Sequence, residues 1–269
     1  MTASTAASLL PEALPIHSLI DQVADRQRLD FGHATPEAKA DGSLITACDR
    51  WSDDALVRGL GQLYPGEGVL SEEGDKRLPS SAAYWVVDPL DGTTNFAAGI
   101  PYWAISLARF EGGVPVLAIL DVPPLRQRIV AMRGQGAWRN GKRLLPPSTD
   151  GRSIGCASLC SRSIGVLQKL PDRRFPGKIR LLGVASLNLV SVAMGQTVAA
   201  LEATPKIWDL AAAWLVLSEL GCPLRWLQNS PDALEPGANL ADSDFPVLAA
   251  KDPATLDVFM PWGEALLSR

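Results

Sequence analysis

The run Trp85-Val86-Val87-Asp88-Pro89-Leu90-Asp91-Gly92-Thr93-Thr94-Asn95-Phe96 sets two carboxylates three residues apart where an apolar stretch meets a proline, then adds a glycine and two hydroxyls. These are the donors of a hard-cation site. Mg2+ takes about six oxygen ligands near ~2.1 Å, commonly a few carboxylates completed by waters and phosphate oxygens. Asp88, Asp91, the Leu90 carbonyl and the Thr93 hydroxyl supply that inventory locally. The plain alternative is an Asp-Gly turn with an Asx hydrogen bond, which is what most such pairs are. Two spaced acids, a strand stop, a glycine and a helix-opening Thr pair in one block favour the metal site.

These donors need a strand and a turn to hold them. Residues 84–87 are aromatic and β-branched, which predicts a buried strand, and Pro89, lacking an amide proton, is expected to end its ladder. Asp88 then sits at the strand's carboxyl end. Asp91, Gly92 and Thr93 form a tight turn, and Thr94-Asn95 open a helix whose first amides attract phosphate. Upstream, Ile16, Leu19, Ile20 and Val23 share one face of a helix over residues 17–28, and residues 51–63 read as a second helix with Ser52 as its cap. Residues 104–110, 114–120 and 128–131 alternate or run apolar between breaks, and Asn140-Gly141 is a hairpin signal, so an antiparallel meander is expected.

Further on, residues 181–201 carry no charge and are long enough to span a bilayer, but Gly183, Ser186, Asn188, Ser191, Gly195, Gln196 and Thr197 dilute them. A buried helix from Leu187 is the reading. Residues 208–220 are apolar nearly all round and stop at Gly221 ahead of Pro223, which predicts a second buried helix. Residues 224–227 and 247–250 are strand candidates. The chain divides into a loose tail over residues 1–14, an N-terminal α+β lobe over 15–150 with the Asp88–Thr93 motif, and a C-terminal α/β lobe over 151–269 carrying Asp209. One undivided layered domain is the alternative.

With 269 residues, 47% of them hydrophobic, the chain can bury a substantial core. A net charge of −4 and a pI near 5.3 give no electrostatic reason to expect a nucleic acid or an anionic membrane as partner, so a phosphate ligand needs local rescue by metal. Cys48, Cys156, Cys160 and Cys222 form no CxxC pair and the first basic residue is Arg26, which predicts a reducing, cytoplasmic setting. His17 and His33 are the two histidines, which leaves little material for a Ser-His or His-rich zinc mechanism.

Three further acids gain meaning beside Asp88 and Asp91. Glu72-Glu73 follow a short apolar run, and paired acids in loops are usually solvated, yet Glu72 would complete a ligand set short of carboxylates. Asp209 opens the second buried helix, where it is either a cap worth roughly 1 kcal/mol or a ligand at a layer junction that a cation would compensate. Asp49 either caps the helix before Trp51 or reaches the Thr93 hydroxyl, in which case the pair would orient an attacking water. Lys39 is by itself an ordinary surface lysine.

Glu72-Glu73, the Asp88-Pro89-Leu90-Asp91-Gly92-Thr93-Thr94-Asn95-Phe96 block and Trp208-Asp209 with its Ala-rich helix, in that order, resemble the inositol monophosphatase family of lithium-sensitive, Mg2+-dependent phosphatases. The similarity runs over roughly residues 15–260. It implies a five-layer αβαβα sandwich of the inositol monophosphatase/fructose-bisphosphatase type, commonly a homodimer. It further implies that Glu72, Asp88, the Leu90 carbonyl, Asp91, Thr93 and Asp209 hold two or three Mg2+, and that Thr93, Asp49 and Glu72 serve in-line attack by water on the phosphorus. Asp91, Gly92, Thr93, Gly183, Val184, Ala185, Glu202 and Asp209 map to substrate positions. Glu202 as a plain surface acid stays open. The implied reaction is hydrolysis of a small phosphate monoester, inositol 1-phosphate first, with histidinol phosphate as rival and a metal-binding scaffold as the alternative from another class. The loop from Lys39 to Asp49 is one residue short of the animal enzymes, and Ala213 stands where a glycine is common.

Overall fold

The computed structural model describes residues 14–39, 42–148, 155–231 and 234–268. The expected tail over 1–14 lies outside the described residues except for Leu14, which is buried beside the first helix. In chain order come α1 (Ile16–Asp30), a small antiparallel pair β1 (Glu37–Ala38) and β2 (Leu44–Ile45), and α2 (Ala47–Leu63). The first large sheet follows: β3 (Gly68–Ser71), β4 (Ala83–Asp91), the short helix α3 (Thr93–Ala97), β5 (Ala104–Glu111), β6 (Val114–Val122), β7 (Gln127–Met132), β8 (Gly136–Arg139) and β9 (Lys142–Arg143). The second part holds β10 (Cys156–Leu159), α4 (Val166–Lys169), β11 (Lys178–Arg180), α5 (Ala185–Ala193), β12 (Ala199–Glu202), α6 (Ile207–Glu219), β13 (Leu224–Trp226), β14 (Val247–Ala250) and α7 (Pro253–Leu267).

Strand alternation sorts the side chains into layers. Trp85, Val87, Ile105, Leu107 and Ile119 on one face of the seven-stranded sheet pack against Ile16, Ile20, Val23, Leu56 and Leu60 of α1 and α2. Val86, Ala104, Ala108, Ala118 and Leu120 on the other face meet α5 and α6, and the same cluster continues to Ala200, Val247 and Ala249 of the five-stranded sheet. The far face of that sheet, with Leu159, Leu201 and Leu248, is covered by Val166 of α4 and by Leu256, Phe259 and Trp262 of α7. The order is helix, sheet, helix, sheet, helix: the five-layer αβαβα sandwich. Helices α5 and α6 are buried nearly all round because both of their sides face a sheet, and α5 buries Ser186, Asn188 and Ser191 among its apolar residues.

Several expectations change in detail. Strand β4 does not end at Pro89 but runs on to Asp91, because Asp88 pairs with Ser106 and Asp91 with Ala104, leaving one extra residue in β4. A bulge is where a strand tolerates proline. Helix α2 starts at Ala47 and its cap is Thr46, in a reciprocal box with Asp49, while Ser52 is buried inside the helix. Residues 181–201 split into α5 and β12, and no described helix is long and apolar enough to cross a membrane. The Asn140-Gly141 turn joins β8 to β9 with both residues at positive φ, as a tight hairpin requires.

Candidate metal centre

Strand ends and helix starts converge on one spot. Glu72 follows β3, and its N–H donates to Val87 O at 3.1 Å, which carries the ladder one step past the strand and sets Glu72 beside Asp88. Asp88 lies at the edge of the bulge with Oδ1 accepting from Leu90 N at 2.9 Å. Asp209 is the third residue of α6, where Oδ2 accepts from Lys206 N at 2.8 Å, and Ser106, the ladder partner of Asp88, donates to Trp208 O at 3.3 Å. Carboxylate oxygens of Glu72, Asp88 and Asp209 lie within 4.8 Å of one another, a spacing one hard cation can bridge. Asp91 stands outside this trio; its Oδ2 accepts from Ser186 N at 2.8 Å in the first turn of α5.

The electrostatics call for a cation. Burial pushes the Asp88 carboxyl far above the usual carboxylate range, with the charges of Glu72, Asp91 and Asp209 adding to it. Asp209 is pushed well up for the same reasons, burial first and then Asp91 and Glu72. Burial also raises Asp91 to about 6 although bonds from Ser186 pull it down. Buried carboxylates this close hold a proton or a cation, since an uncompensated pair is strongly disfavoured. An all-oxygen, acid-rich donor set with carbonyl and hydroxyl neighbours fits Mg2+.

Lys39 is no free surface lysine. Its Nζ donates to Glu72 Oε1 at 3.0 Å and to Glu73 Oε1 at 2.5 Å. Burial lowers the ammonium's pKa, but the two carboxylates more than offset this and hold it above the usual lysine value. Burial and the neighbouring Glu72 raise Glu73 to about 7 against the pull of Lys39.

Asp49 fills both roles the sequence left open. Oδ2 accepts from Thr46 N at 2.8 Å and caps α2, while Oδ1 accepts the Thr93 hydroxyl at 2.7 Å. Thr93 Oγ1 also lies 3.1 Å from Leu90 O, so hydroxyl and carbonyl sit side by side. Gly92, at φ 104°, makes the turn between them, and a Cβ there would meet Val184 Cγ2 at 2.8 Å. Val184 precedes α5, and Asn95 donates to Leu182 O at 2.8 Å and to Tyr102 O at 2.9 Å, so the Gly183-Val184-Ala185 segment is tied to the motif.

Glu202 is buried, not a surface acid. It ends β12, accepts from Asn188 Nδ2 at 2.8 Å, and burial raises it to about 8. Sequence reasoning passed over three residues here. Asp53, one turn after Asp49 on α2, is buried and accepts from Ser71 Oγ just before Glu72. Cys160, just past β10, has its sulfur 3.3 Å from the amide of Ala203, next to Glu202. Gln27 continues the buried Ile16-Ile20-Val23 face of α1, and that periodicity was its signal.

Residues 7–253 match the model of the inositol monophosphatase family. The chain belongs to that family. It is 32% identical over 218 residues to a histidinol-phosphatase of Mycobacterium tuberculosis, covering 76% of this chain and 83% of the relative. An inositol-1-monophosphatase of Mesorhizobium japonicum is 31% identical over 233 residues, covering 80% and 85%. A solved IMPase/NADP phosphatase complexed with Mg2+ and phosphate superposes with a TM-score of 0.75 at 25% identity, covering 91% of this chain and 93% of that one. The family is one of Mg2+-dependent phosphoric monoester hydrolases, and this chain is an enzyme of that class.

Proposed function

We propose that this member of the inositol monophosphatase family hydrolyses a small polyol phosphate, inositol 1-phosphate first, at a centre of two or three Mg2+ held by Glu72, Asp88, Asp91, Asp209 and the Leu90 carbonyl. The observation that carries the reading is the carboxylate trio within 4.8 Å, with Asp88 buried, Glu72 and Asp209 half-buried, and their charges opposing one another. When bound, Mg2+ lowers the pKa of water and offsets charge on phosphoryl and leaving oxygens. The protein's own part begins at Thr93. Thr93 donates its hydroxyl hydrogen bond to Asp49 Oδ1, which leaves Oγ1 lone pairs to accept from a water and aim it at the phosphorus. Asp49 is locked in turn by the Thr46 amide, so the acceptor has one orientation. Amides of Gly92 and Thr93 at the start of α3 are the phosphate's donors in this reading, reinforced by the backbone of Gly183, Val184 and Ala185.

Glu202, held by Asn188, reads the leaving group in this proposal, its carboxyl oxygens accepting from polyol hydroxyls. It would also pair with an ammonium, and together with the 32% identity to a histidinol-phosphatase this supports histidinol phosphate as the second substrate. We take the enzyme to be a cytoplasmic homodimer; a mass measurement in solution tests the stoichiometry. The deciding experiment is phosphate release from a panel of phosphorylated metabolites with Mg2+. Release fastest from inositol 1-phosphate supports the proposal. Preference for histidinol phosphate replaces the substrate, and no release from any monoester leaves a metal-binding scaffold.

A further inference from the structure

Strand β4 bulges between Asp88 and Asp91, and the carbonyl of Pro89 lies in the stretch where pairing to β5 lapses. Gln27, fully buried on α1, reaches it: Nε2 donates to Pro89 O at 2.7 Å and to Ser52 Oγ of α2 at 3.1 Å, while Oε1 accepts from Trp103 Nε1 at 3.0 Å. The amide has one possible orientation, because an indole N–H only donates and a carbonyl only accepts. A buried amide on the apolar face of a helix is disfavoured unless its hydrogen bonds are made. For packing alone, an apolar residue of the same size would serve α1 as well.

The residues on either side of Pro89 are Asp88 and Leu90. One offers a carboxylate to the trio and the other the carbonyl beside Thr93 Oγ1. The Leu90 side chain is itself packed with Phe96 and Trp103, the indole that Gln27 accepts from. Through Ser52 the same amide touches α2, which carries Asp49. One side chain therefore joins α1, α2, the bulge between Asp88 and Asp91, and the residue before β5.

We propose that Gln27 is a positioning residue of the metal centre: its amide fixes the Pro89 carbonyl, and with it the directions in which the Asp88 carboxylate and the Leu90 carbonyl point. The inference rests on the metal-centre reading above. It is tested on the full chain by calorimetric titration of the metal-free protein with Mg2+, alongside its melting temperature without metal. Gln27→Met keeps the volume and removes both polar ends, and Mg2+ should bind about tenfold more weakly, as losses of outer partners of metal ligands do. Trp103→Phe removes the indole donor but leaves the bond to Pro89 O. That variant should melt lower yet bind Mg2+ within about twofold of the wild type. Gln27→Asn, whose amide is one carbon short, covers the case in which the methionine variant does not fold and should show the same loss.

Wild-type affinity in Gln27→Met or Gln27→Asn overturns the proposal. So does an equal loss in Trp103→Phe, which would trace the effect to general loosening. If the wild-type chain itself binds no divalent cation, the metal-centre reading fails and takes this one with it, an outcome distinct from both.

Discussion

Removing the metal should make the protein's stability fall with pH, and the Asp91 carboxyl gives the size of the effect. Burial raises it from 3.8 to about 6 in the folded chain. A group whose folded pKa is raised favours the folded state fully below its unfolded pKa and loses that contribution as pH climbs through the folded value. For Asp91 the window runs from the ordinary 3.8 up to about 6. A shift of about two units corresponds to ~3 kcal/mol, and at ~2–4 °C per kcal/mol for a chain of this size the metal-free melting temperature should drop by ~6–12 °C across that window. Asp88 and Asp209 shift in the same direction and add to the fall.

Mg2+ should cancel the part that belongs to the centre. At about a hundredfold excess over its dissociation constant a ligand stabilises by ~2.7 kcal/mol, close to the Asp91 loss. Protons and Mg2+ compete for the same oxygens, so the metal's stabilising effect should be near zero around pH 4 and about 5–10 °C at pH 7. Glu202, raised to about 8, is outside the ligand set, so its own decline up to that pH should persist with metal. Melting curves of metal-free and Mg2+-loaded protein from pH 4 to 8 test this. A metal-induced shift that is the same at every pH would refute the reasoning, as would metal-free protein that is more stable at pH 7 than at pH 5.

The remaining predictions concern single residues. Thr93→Ala should lower kcat by about a hundredfold or more while leaving Mg2+ binding by calorimetry within a few-fold, because the hydroxyl aligns a water; unchanged kcat would remove Thr93 from the attack. Glu202→Gln should lower kcat/KM for inositol 1-phosphate far more than for 4-nitrophenyl phosphate, and equal losses on both would mean Glu202 does not read the leaving group. Gly92→Ala should lower activity and destabilise the chain by more than ~1 kcal/mol, since the new Cβ meets positive φ and the Val184 side chain together; a wild-type melting temperature would count against the tight turn.

The layer order was legible because periodicity reports burial on one side or both. Residues 208–220 read as a helix apolar nearly all round and the run from Leu187 as a buried helix, and both lie between the two sheets. What sequence missed has local causes. Pro89 looked like a strand end because proline cannot donate to a ladder, but the bulge needs no donor there. Helix α7 was not anticipated, since Pro261 sits inside it and interior proline argues against a helix. Two rungs, β10 and β11, are four and three residues long, too short for a periodicity to emerge. At the site, Asp49 and Asp209 presented a choice between cap and function that spacing could not resolve.

Both readings are geometrically compatible in one side chain. Asp49 and Asp209 are each the third residue of their helix, and each returns one oxygen to the backbone amide of the cap residue, Thr46 or Lys206. A carboxylate has further acceptor capacity: Asp49 Oδ1 accepts the Thr93 hydroxyl, and a carboxylate oxygen of Asp209 lies with those of Glu72 and Asp88. Asp91 does the same across layers by accepting the Ser186 amide at the start of α5. The starts of α2, α5 and α6 thus surround the acids with the positive ends of helix dipoles. Each of these contacts is worth only ~0.3–1 kcal/mol at an exposed site and up to ~2 kcal/mol where partly buried, too little to hold several buried carboxylates ionised. The dipoles and caps orient the acids, and in the proposed reading a divalent cation supplies the rest of the charge. On that reading the reciprocal cap of α6 aims a ligand, and replacing Asp209 with a neutral cap such as Asn should keep α6 folded while weakening Mg2+ binding measured by calorimetry. A variant that unfolds α6 and binds nothing would show that capping and ligation are one inseparable function, against this account.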